Sequence, residues 1–436
     1  MRGQVRRCRS PGHSARLAGA VGPQEYIRVA PARGAMPSHD VVVAGAGPAG
    51  SSAARAAALG GASVALLERE AEVAQSVRTS GVTWMDAVME FGIPRECYHP
   101  VRTYSMFSPR NEVVVHDTRA RVAVLDVRRT YRWLASRAVE AGAELHVGTP
   151  ATGAIVEGGA VHGVRAARGE EFRARVTVDA TGFHSSVARD ADLVAPWRRF
   201  GVGAEWEAHA EGAEEDEWWL MVGSEYSPAG YAWVFPLGGD MVRIGVGIAK
   251  PESGEDPAAR LARLLERRPG PLARLGKVDT AEYHYGIIPN GGASRGTVHD
   301  GLLLAGDTAG QANPIVLEGI RHAIRYGEAA GRAAGRAAAS GDASARAMRG
   351  YERAWRREIA SRVRAASRVQ DRWLGLDDAA WDAELDAIRG LSADEFLDFV
   401  RGDFGLGYIA RMAAAHPRMA ARQLGRLVSG ALSGPR

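Results

Sequence analysis

The stretch that decides the fold is DVVVAGAGPAG, residues 40–50. Its valines at 41–43 are typical of a buried strand, and the alanine-rich segment after residue 50 is typical of a helix. Between them we expect Gly45 to permit a tight turn, Gly47 to let a pyrophosphate approach the backbone, and Gly50 to allow close helix–strand packing. The N-terminus of the helix then faces the phosphates.

A second strand, SVALLE, ends in Glu68. A carboxylate at this place accepts hydrogen bonds from an adenosine ribose and argues against a 2′-phosphate, and hence against NADP. The strand, helix and acid stand in the right order, so residues 45–50 (Pro48 and Ala49 included) and Glu68 predict a dinucleotide site.

Two later motifs favour FAD over NAD as the cofactor. VTVDATG, 176–182, and GLLLAGDTAG, 301–310, are both apolar strands that break at glycine. An aspartate at such a strand end, here Asp307, can bind a ribityl hydroxyl, and we expect the helix after it to point its N-terminus at the flavin. The alternative role for Asp307 is that of a simple helix cap.

A third motif, SPAGYAWVFP at 227–236, carries aromatic residues at alternate positions. Alternate side chains of a strand share a face, so Tyr231, Trp233 and Phe235 are expected to line up. An ordinary buried strand and the wall of a pocket are both consistent with the pattern. With cofactor motifs on both sides, we interpret the three rings as pocket wall, with Pro236 ending the strand.

The charge is concentrated at the start of the chain. The net charge is +4, but seven arginines and one acid lie within residues 1–35, and without them it is −2. A nucleic-acid groove is therefore not supported. We interpret residues 1–36 as a basic leader ahead of a true start at Met36, with a transit-like segment as the alternative.

The cysteines and histidines give no metal or thiol site. The cysteines are Cys8 and Cys97, one of them in the leader, so a disulfide framework or a cysteine-based metal cluster is not expected. This fits a reducing cytoplasm. We predict no metal and assign no catalytic residue; for His322, packing or surface exposure is the favoured interpretation.

Taken together, the motifs resemble those of the geranylgeranyl reductase family, within the wider FAD-dependent fold of aromatic hydroxylases and flavin halogenases. The resemblance runs from Met36 to the C-terminus, and 228–248, 306–324, 351–359 and 375–405 carry it. It implies an α/β fold with a Rossmann-like FAD-binding domain, an antiparallel substrate sheet and a C-terminal helical region. It also implies FAD contacts, at Gly50, Glu68, Arg69, Thr79, Ser80, Arg128, Thr152, Asp307, Gly319 and Ile320.

This sequence departs from the family pattern at two places. Many members carry a cysteine in the loop that here reads Arg78-Thr79-Ser80-Gly81, which puts a thiol mechanism in doubt. Leu317 stands where a small residue often precedes the glutamate, so it is expected to narrow the pocket above the flavin. The register at Arg128 is ambiguous by one residue, which leaves Arg129 as a lesser candidate.

The activity implied by the resemblance is reduction of C=C bonds in a prenyl lipid or a related hydrophobic substrate by hydride from reduced FAD. Aromatic hydroxylation is the alternative. Halogenation is disfavoured because halogenases use an early lysine, whereas the lysines here are Lys250 and Lys277. A flavoprotein without turnover is a third hypothesis. A second dinucleotide fingerprint is absent, so we expect an external electron donor, NAD(P)H or a ferredoxin-like protein.

The predicted organisation is discontinuous. The FAD-binding domain is predicted to comprise residues 37–195 and 281–335, although 83–119 contribute to the substrate layer. Residues 196–280 are predicted to form the substrate sheet, and residues 336–436 are predicted to form the helical region. A core stripe at Tyr351, Trp355, Ile359 and Val363 is expected to pack on the FAD-binding domain. The final segment, from 404, is interpreted as a helical cap, with peripheral membrane contact of a cytoplasmic protein as the alternative.

Overall fold

The computed structural model describes residues 39–290, 295–402 and 404–417. The predicted leader, 1–36, and the part of the final segment beyond residue 417 lie outside the described residues. Among the described helices, none combines the length and the apolar character that crossing a bilayer requires.

Eighteen strands lie within the described residues: β1 (His39–Ala44), β2 (Val64–Leu67), β3 (Val82–Trp84), β4 (Tyr98–Val101), β5 (Thr103–Phe107), β6 (Glu112–His116), β7 (Val122–Leu125), β8 (Glu144–His146), β9 (Ala151–Glu157), β10 (Ala160–Ala166), β11 (Glu171–Asp179), β12 (Phe200–Ala210), β13 (Glu217–Met221), β14 (Gly230–Gly238), β15 (Met241–Lys250), β16 (Val278–Pro289), β17 (Val298–His299) and β18 (Leu302–Leu304).

The same ranges contain eleven α-helices: α1 (Pro48–Leu59), α2 (Met85–Phe91), α3 (Val127–Glu140), α4 (Ser186–Asp190), α5 (Pro257–Arg267), α6 (Ile320–Ser340), α7 (Ala345–Trp355), α8 (Ser361–Trp373), α9 (Asp378–Ile388), α10 (Ala393–Arg401) and α11 (Leu406–Ala415).

The first sheet is mainly parallel, with the order β17-β18-β11-β1-β2-β8 and with β9 and β10 added through β11. Its central strand β1 runs parallel to β2 and β11. Residues 41–43 are fully buried: Val41 and Val43 share a core with helices α1 and α6, whereas Val42 shares one with strands β9 and β10 and helix α4. The carboxyl ends of β1, β2 and β18 meet at one edge, where such sheets bind ligands.

The second sheet has seven strands in the order β16-β12-β15-β14-β13-β5-β6, antiparallel except where β13 runs beside β5. Strands β3, β7 and β4 form a small third sheet. The predicted fold class, a Rossmann-like domain with an antiparallel sheet and a C-terminal helical region, is confirmed.

Two predicted domain boundaries fall inside secondary-structure elements. Strand β16 pairs with β12 from Val278 to Pro289, so the substrate sheet extends past the predicted boundary at 280. Helix α6 continues to Ser340, past the predicted boundary at 335, because it packs along α1 over several turns. The predicted stripe from Tyr351 to Val363 is buried in the same core cluster as β1 and α1, as expected.

Close packing of α6 on α1 depends on glycine. A Cβ placed on Gly331 would lie 2.0 Å from the backbone oxygen of Ala53, so any side chain there would push the helices apart. Gly335, one turn further along α6, is different: its Cβ would lie 3.6 Å from the nearest atom of Ala57, an ordinary contact.

We therefore expect Gly331→Ala to lower the free energy of unfolding by about 1–3 kcal/mol, because overpacking moves backbone. Gly335→Ala is the matched control in the same helix and should raise it by about 0.5–1 kcal/mol through helix propensity. Urea unfolding of both variants measures this, and equal effects would contradict the packing argument.

Candidate active site

Two cavities adjoin between the sheets. The first, of about 710 Å³, lies at the carboxyl edge of the parallel sheet; we call it the nucleotide cavity. The second, of about 150 Å³, lies against the antiparallel sheet; we call it the aromatic cavity. Seven residues line both and form their common wall: Arg78, Thr79, Tyr285, Ile288, Leu317, Gly319 and Ile320.

The glycine loop lines the nucleotide cavity as its motif predicts. Gly45 has φ +98°, and a Cβ there would lie 2.5 Å from the oxygen of Ala180. A Cβ on Gly50 would lie 1.8 Å from the oxygen of Gly45, so this glycine packs behind the loop and does not line the cavity. Gly47 has no atom within 4 Å of its Cβ position and borders the cavity, which leaves backbone accessible to a phosphate.

Glu68 is held at the rim by the glycine loop itself. Its Oε2 accepts a hydrogen bond from the Ala46 amide at 3.1 Å, and its Oε1 accepts one from the Glu70 amide at 3.0 Å. The carboxylate is 8% exposed and lines the nucleotide cavity beside Arg69. A carboxyl acceptor fixed in this way suits the hydroxyls of a ribose.

Asp307 lies on the opposite side of the same cavity, in a 3₁₀ turn, Gly306–Ala309, directly after β18. Burial raises the pKa of Asp307 to about 6. The expected helix does not follow at once: a ten-residue loop, 310–319, intervenes, and α6 begins at Ile320. The helix start reaches the cavity nevertheless, because Gly319 and Ile320 line it.

The structure does not bring all the predicted cofactor residues to the nucleotide cavity. Ser80 lines only the aromatic cavity. Arg128 pairs instead with Glu282, at 2.6 Å. Thr152 donates to the Arg165 carbonyl within its sheet, and its neighbours 150 and 151 line the cavity. The FAD contacts proposed for Arg128 and Thr152 stay predictions; Arg129 pairs with Asp126.

Sequence reasoning missed two other residues of the nucleotide cavity. Tyr131 lies on α3 one turn after Arg128 and lines the cavity, and burial raises its pKa. His184 follows the DATG motif, and burial together with nearby Arg69 lowers its pKa. The signal for Tyr131 was its i+3 spacing from an expected contact residue, which places both on one helix face.

The three rings of the aromatic strand share a face, as predicted, and all line the aromatic cavity. The rings of Trp233 and Phe235 stack with centroids 5.8 Å apart, and Tyr231 lies 5.7 Å from Trp233. The expectation that Pro236 ends the strand is wrong: β14 continues to Gly238, because the ladder with β15 resumes after an irregularity.

A cross-strand row explains how Trp233 is held. Trp233 on β14 lies opposite Gly245 on β15, which lies opposite Glu205 on β12. A Cβ at Gly245 would lie 2.3 Å from the indole ring. The bare glycine therefore lets the indole lie across the sheet, where its Nε1 donates to Glu205 Oε2 at 3.0 Å.

Glu205 is also bonded to a histidine on the next strand. His284 on β16 lies directly opposite Glu205, and the two share a hydrogen bond of 2.9 Å between Nδ1 and Oε1. Both side chains are almost completely buried, and both line the aromatic cavity. The result is an acid–base pair beside the aromatic wall.

One group of described residues has the spacing of a metal site: Glu207, Glu282 and His284, whose ligand atoms lie within 4.8 Å of one another. However, Arg243 donates to Glu207 at 2.7 Å and Arg128 donates to Glu282 at 2.6 Å. Both carboxylates are thus already neutralised by guanidinium groups, which favours an ion-pair network over a metal centre.

Leu317, which was expected to narrow the pocket above the flavin, lies where the two cavities meet. It has φ +51°, a strained value for a branched side chain, and its Cδ1 packs where a Cβ on Gly201 would sit. The adjacent carbonyl, that of Val316, accepts a hydrogen bond of 2.7 Å from the Tyr231 hydroxyl. The aromatic strand therefore tethers the loop that separates the cavities.

His322 has the packed role that was favoured for it. It is 4% exposed on α6 and hydrogen-bonds through Nδ1 to the Gln311 carbonyl. Its side chain lines neither cavity.

Burial of Asp307 predicts a pH dependence of stability in protein freed of any cofactor. The carboxyl has a pKa of about 6 when folded against an ordinary 3.8, so its ionisation costs stability above pH 6 and costs nothing below pH 4. Asp307→Asn should therefore exceed the parent in free energy of unfolding at pH 8, by up to about 3 kcal/mol.

In the control variant for this measurement, the change in the free energy of unfolding at pH 8 should have the opposite sign. Hydrogen bonds from Ser344 lower the pKa of Asp342, so Asp342→Asn should lose stability at pH 8 and approach the parent at low pH. Chemical unfolding from pH 4 to 8 measures both variants. For Asp307→Asn, a difference that stays constant with pH would contradict burial as its cause.

Comparison with known proteins places the chain in a family. Residues 40–215 match the family model of FAD dependent oxidoreductases, and 202–279 match the geranylgeranyl reductase catalytic domain. Digeranylgeranylglycerophospholipid reductase 1 of Methanopyrus kandleri is 34% identical, over 78% of this chain and 91% of that protein. Digeranylgeranylglycerophospholipid reductase 2 of Methanococcoides burtonii is 30% identical, over 81% and 89%.

Solved structures agree. A geranylgeranyl bacteriochlorophyll reductase-like protein from Thermoplasma acidophilum has a TM-score of 0.78 at 25% identity, covering 88% of this chain and 98% of that one. A flavin-dependent brominase, with a TM-score of 0.62 at 20% identity over 84% and 93%, shares the fold. The chain therefore belongs to the geranylgeranyl reductase family of FAD-dependent oxidoreductases.

Proposed function

We propose that this protein saturates C=C bonds of a prenyl lipid, with FAD bound in the nucleotide cavity and the lipid in the aromatic cavity. The observation that carries the proposal is the common wall of the two cavities. A ligand in one cavity lies next to a ligand in the other, which hydride transfer requires. The reductase names of the relatives support the same substrate class.

The residues of the nucleotide cavity fit FAD. Gly47 leaves room for a pyrophosphate, Glu68 presents a fixed carboxylate for the ribose, and Asp307 presents a second one for ribityl hydroxyls. When bound and reduced, FAD supplies a hydride; the protein supplies binding and orientation. We propose that Thr79, Leu317 and Gly319, which border both cavities, position the reacting end of the cofactor.

The aromatic cavity fits part of a hydrocarbon chain. Apart from a few polar groups, its lining is aromatic and aliphatic, with Trp84 and Trp218 on one side and Trp373, Trp381 and Phe399 from the C-terminal helices on the other. Its volume of about 150 Å³ is below the roughly 300–1,000 Å³ of drug-sized sites. We therefore propose that it holds one segment of the prenyl chain at a time and excludes water from it.

The alternative, aromatic hydroxylation, has less support, because the matching catalytic family model and the two compared relatives are reductases. For halogenation, the lysine argument also holds in the structure. Lys250 bonds to the carbonyls of Ser253 and Glu255, Lys277 pairs with Asp279, and neither lysine lines either cavity.

An external electron donor, either NAD(P)H or a ferredoxin-like protein, completes the proposal, because the sequence carries a single dinucleotide fingerprint. Peripheral contact with a membrane remains part of the proposal as the source of a lipid substrate.

Anaerobic incubation of the reduced protein with a geranylgeranyl lipid should give products heavier by two hydrogens per bond, measured by mass spectrometry. Trp233→Leu should lower the yield by about tenfold or more, because it removes the main wall of the substrate cavity. Tyr283→Phe, an exposed ring away from both cavities, is the control. Oxygen uptake with an aromatic substrate, and no mass gain in the lipid, would favour the hydroxylase instead.

A further inference from the structure

We propose that Glu205, His284 and Glu282 form a proton relay that gives the alkene carbon the proton needed beside the hydride, with Glu205 as the donor at the cavity. The inference rests on the proposed function and deepens it, since it names the acid of the same site.

The three side chains share one face of the antiparallel sheet. Glu205 lies opposite His284, and the next row on that face pairs Glu207 with Glu282. From Glu205 Oε1 the path runs 2.9 Å to His284 Nδ1, across the ring, and 3.5 Å from Nε2 to Glu282 Oε1. Within the described residues, His284 Nε2 has no hydrogen bond of good geometry, so it remains available for a proton that enters from Glu282.

Of the three side chains on this path, only that of Glu282, at the outer end, is exposed. The side chains of Glu205 and His284 are 4% and 2% exposed, whereas that of Glu282 is 39% exposed at the sheet edge. Protons can therefore enter from solvent at Glu282 and reach the aromatic cavity without admitting water to it.

The charged side chains around the relay carry one more negative than positive charge, which a single proton balances. Arg243 pairs with Glu207 and lies 3.8 Å from Glu205, and Arg128 pairs with Glu282. Two guanidinium groups thus face three carboxylates, and one proton on the Glu205–His284 pair balances the cluster.

Other acidic groups of the aromatic cavity are engaged elsewhere. Glu318 accepts from Arg321 through both oxygens. The Tyr231 hydroxyl donates to a carbonyl, and burial raises its pKa. Arg78 pairs with Glu70, and Tyr285 is 44% exposed. Residues 78–81 contain no cysteine, so among the described residues that line this cavity the Glu205–His284 pair is the remaining acid beside Trp233.

In the proposed step the O–H bond of Glu205 breaks, and the alkene π electrons form a C–H bond to that proton. Reduced FAD, when bound in the nucleotide cavity, would supply the hydride with its electron pair for the second C–H bond and would itself be oxidised. Glu205 regains its proton from His284, and His284 is reprotonated from solvent through Glu282.

The kinetic test follows anaerobic reoxidation of photoreduced enzyme by a geranylgeranyl lipid. Glu205→Gln should slow it by about 100-fold, the usual contribution of a general acid, while reoxidation by ferricyanide, which needs no proton on carbon, stays unchanged. Glu282→Gln should slow it less and weaken its pH dependence. Glu217→Gln is the control, because it removes the same charge from strand β13 of the same sheet, outside both the charge cluster and the cavity lining. Equal slowing by Glu205→Gln and Glu217→Gln would overturn the proposal.

The second readout needs no turnover. The protein without cofactor should prefer a prenyl ammonium ligand over the prenyl alcohol of equal length, because three carboxylates face two guanidinium groups and a bound cation balances the cluster. Glu205→Gln should reduce this preference by about tenfold, measured by calorimetry as the ratio of ammonium affinity to alcohol affinity within the same variant. An undiminished preference would overturn the relay. Absence of lipid reduction by the parent enzyme would instead overturn the proposed function, and the ammonium measurement distinguishes the two failures.

Discussion

The indole of Trp233 lies across its own sheet, and the candidate site depends on this placement. It is possible because Gly245, on the neighbouring strand, has no side chain. The hydrogen bond to Glu205 then fixes the ring and orients the carboxylate, which in turn holds His284. One register across strands β14, β15, β12 and β16 thus builds both the apolar wall and the acid–base pair beside it.

The loop 310–319 links this wall to the nucleotide cavity. Its Val316 carbonyl is held by Tyr231, and the next residue, Leu317, borders both cavities in a strained conformation. Strain of this kind persists only where surrounding structure enforces it, and it concentrates at functional sites. The tether, the strain and the common wall all lie at the place where a cofactor and a substrate would meet.

Much of this could be predicted from the sequence, because local patterns determine it. The strand–glycine–helix order at 40–50 follows from backbone sterics, and Glu68 was predicted from its place at the end of the next strand. The alternation of Tyr231, Trp233 and Phe235 follows from the period of a strand. Long-range pairing has no such signature. Glu205 and His284 are 79 residues apart in the sequence, and only the register of β12 against β16 brings them together. In the sequence, nothing distinguishes Gly245 from other strand glycines, because its role depends on the Trp233 ring that packs over it.

The errors have equally physical causes. Pro236 was expected to end the strand, yet the irregularity that follows it lets the ladder resume. The helix expected directly after Asp307 starts thirteen residues later, because the loop between them forms the wall of both cavities. Arg128 stays a cofactor contact predicted by resemblance; in the structure its guanidinium pairs with Glu282 on β16.

A structure of the protein with FAD and a saturated prenyl lipid tests the central claim most directly, namely that the two cavities hold the two reactants on either side of their common wall. We predict density for the isoalloxazine ring beside Thr79, Leu317 and Gly319, with the chain against Trp233 and a carbon next to Glu205. A lipid bound away from the aromatic cavity, or a flavin ring directed away from that wall, would contradict it.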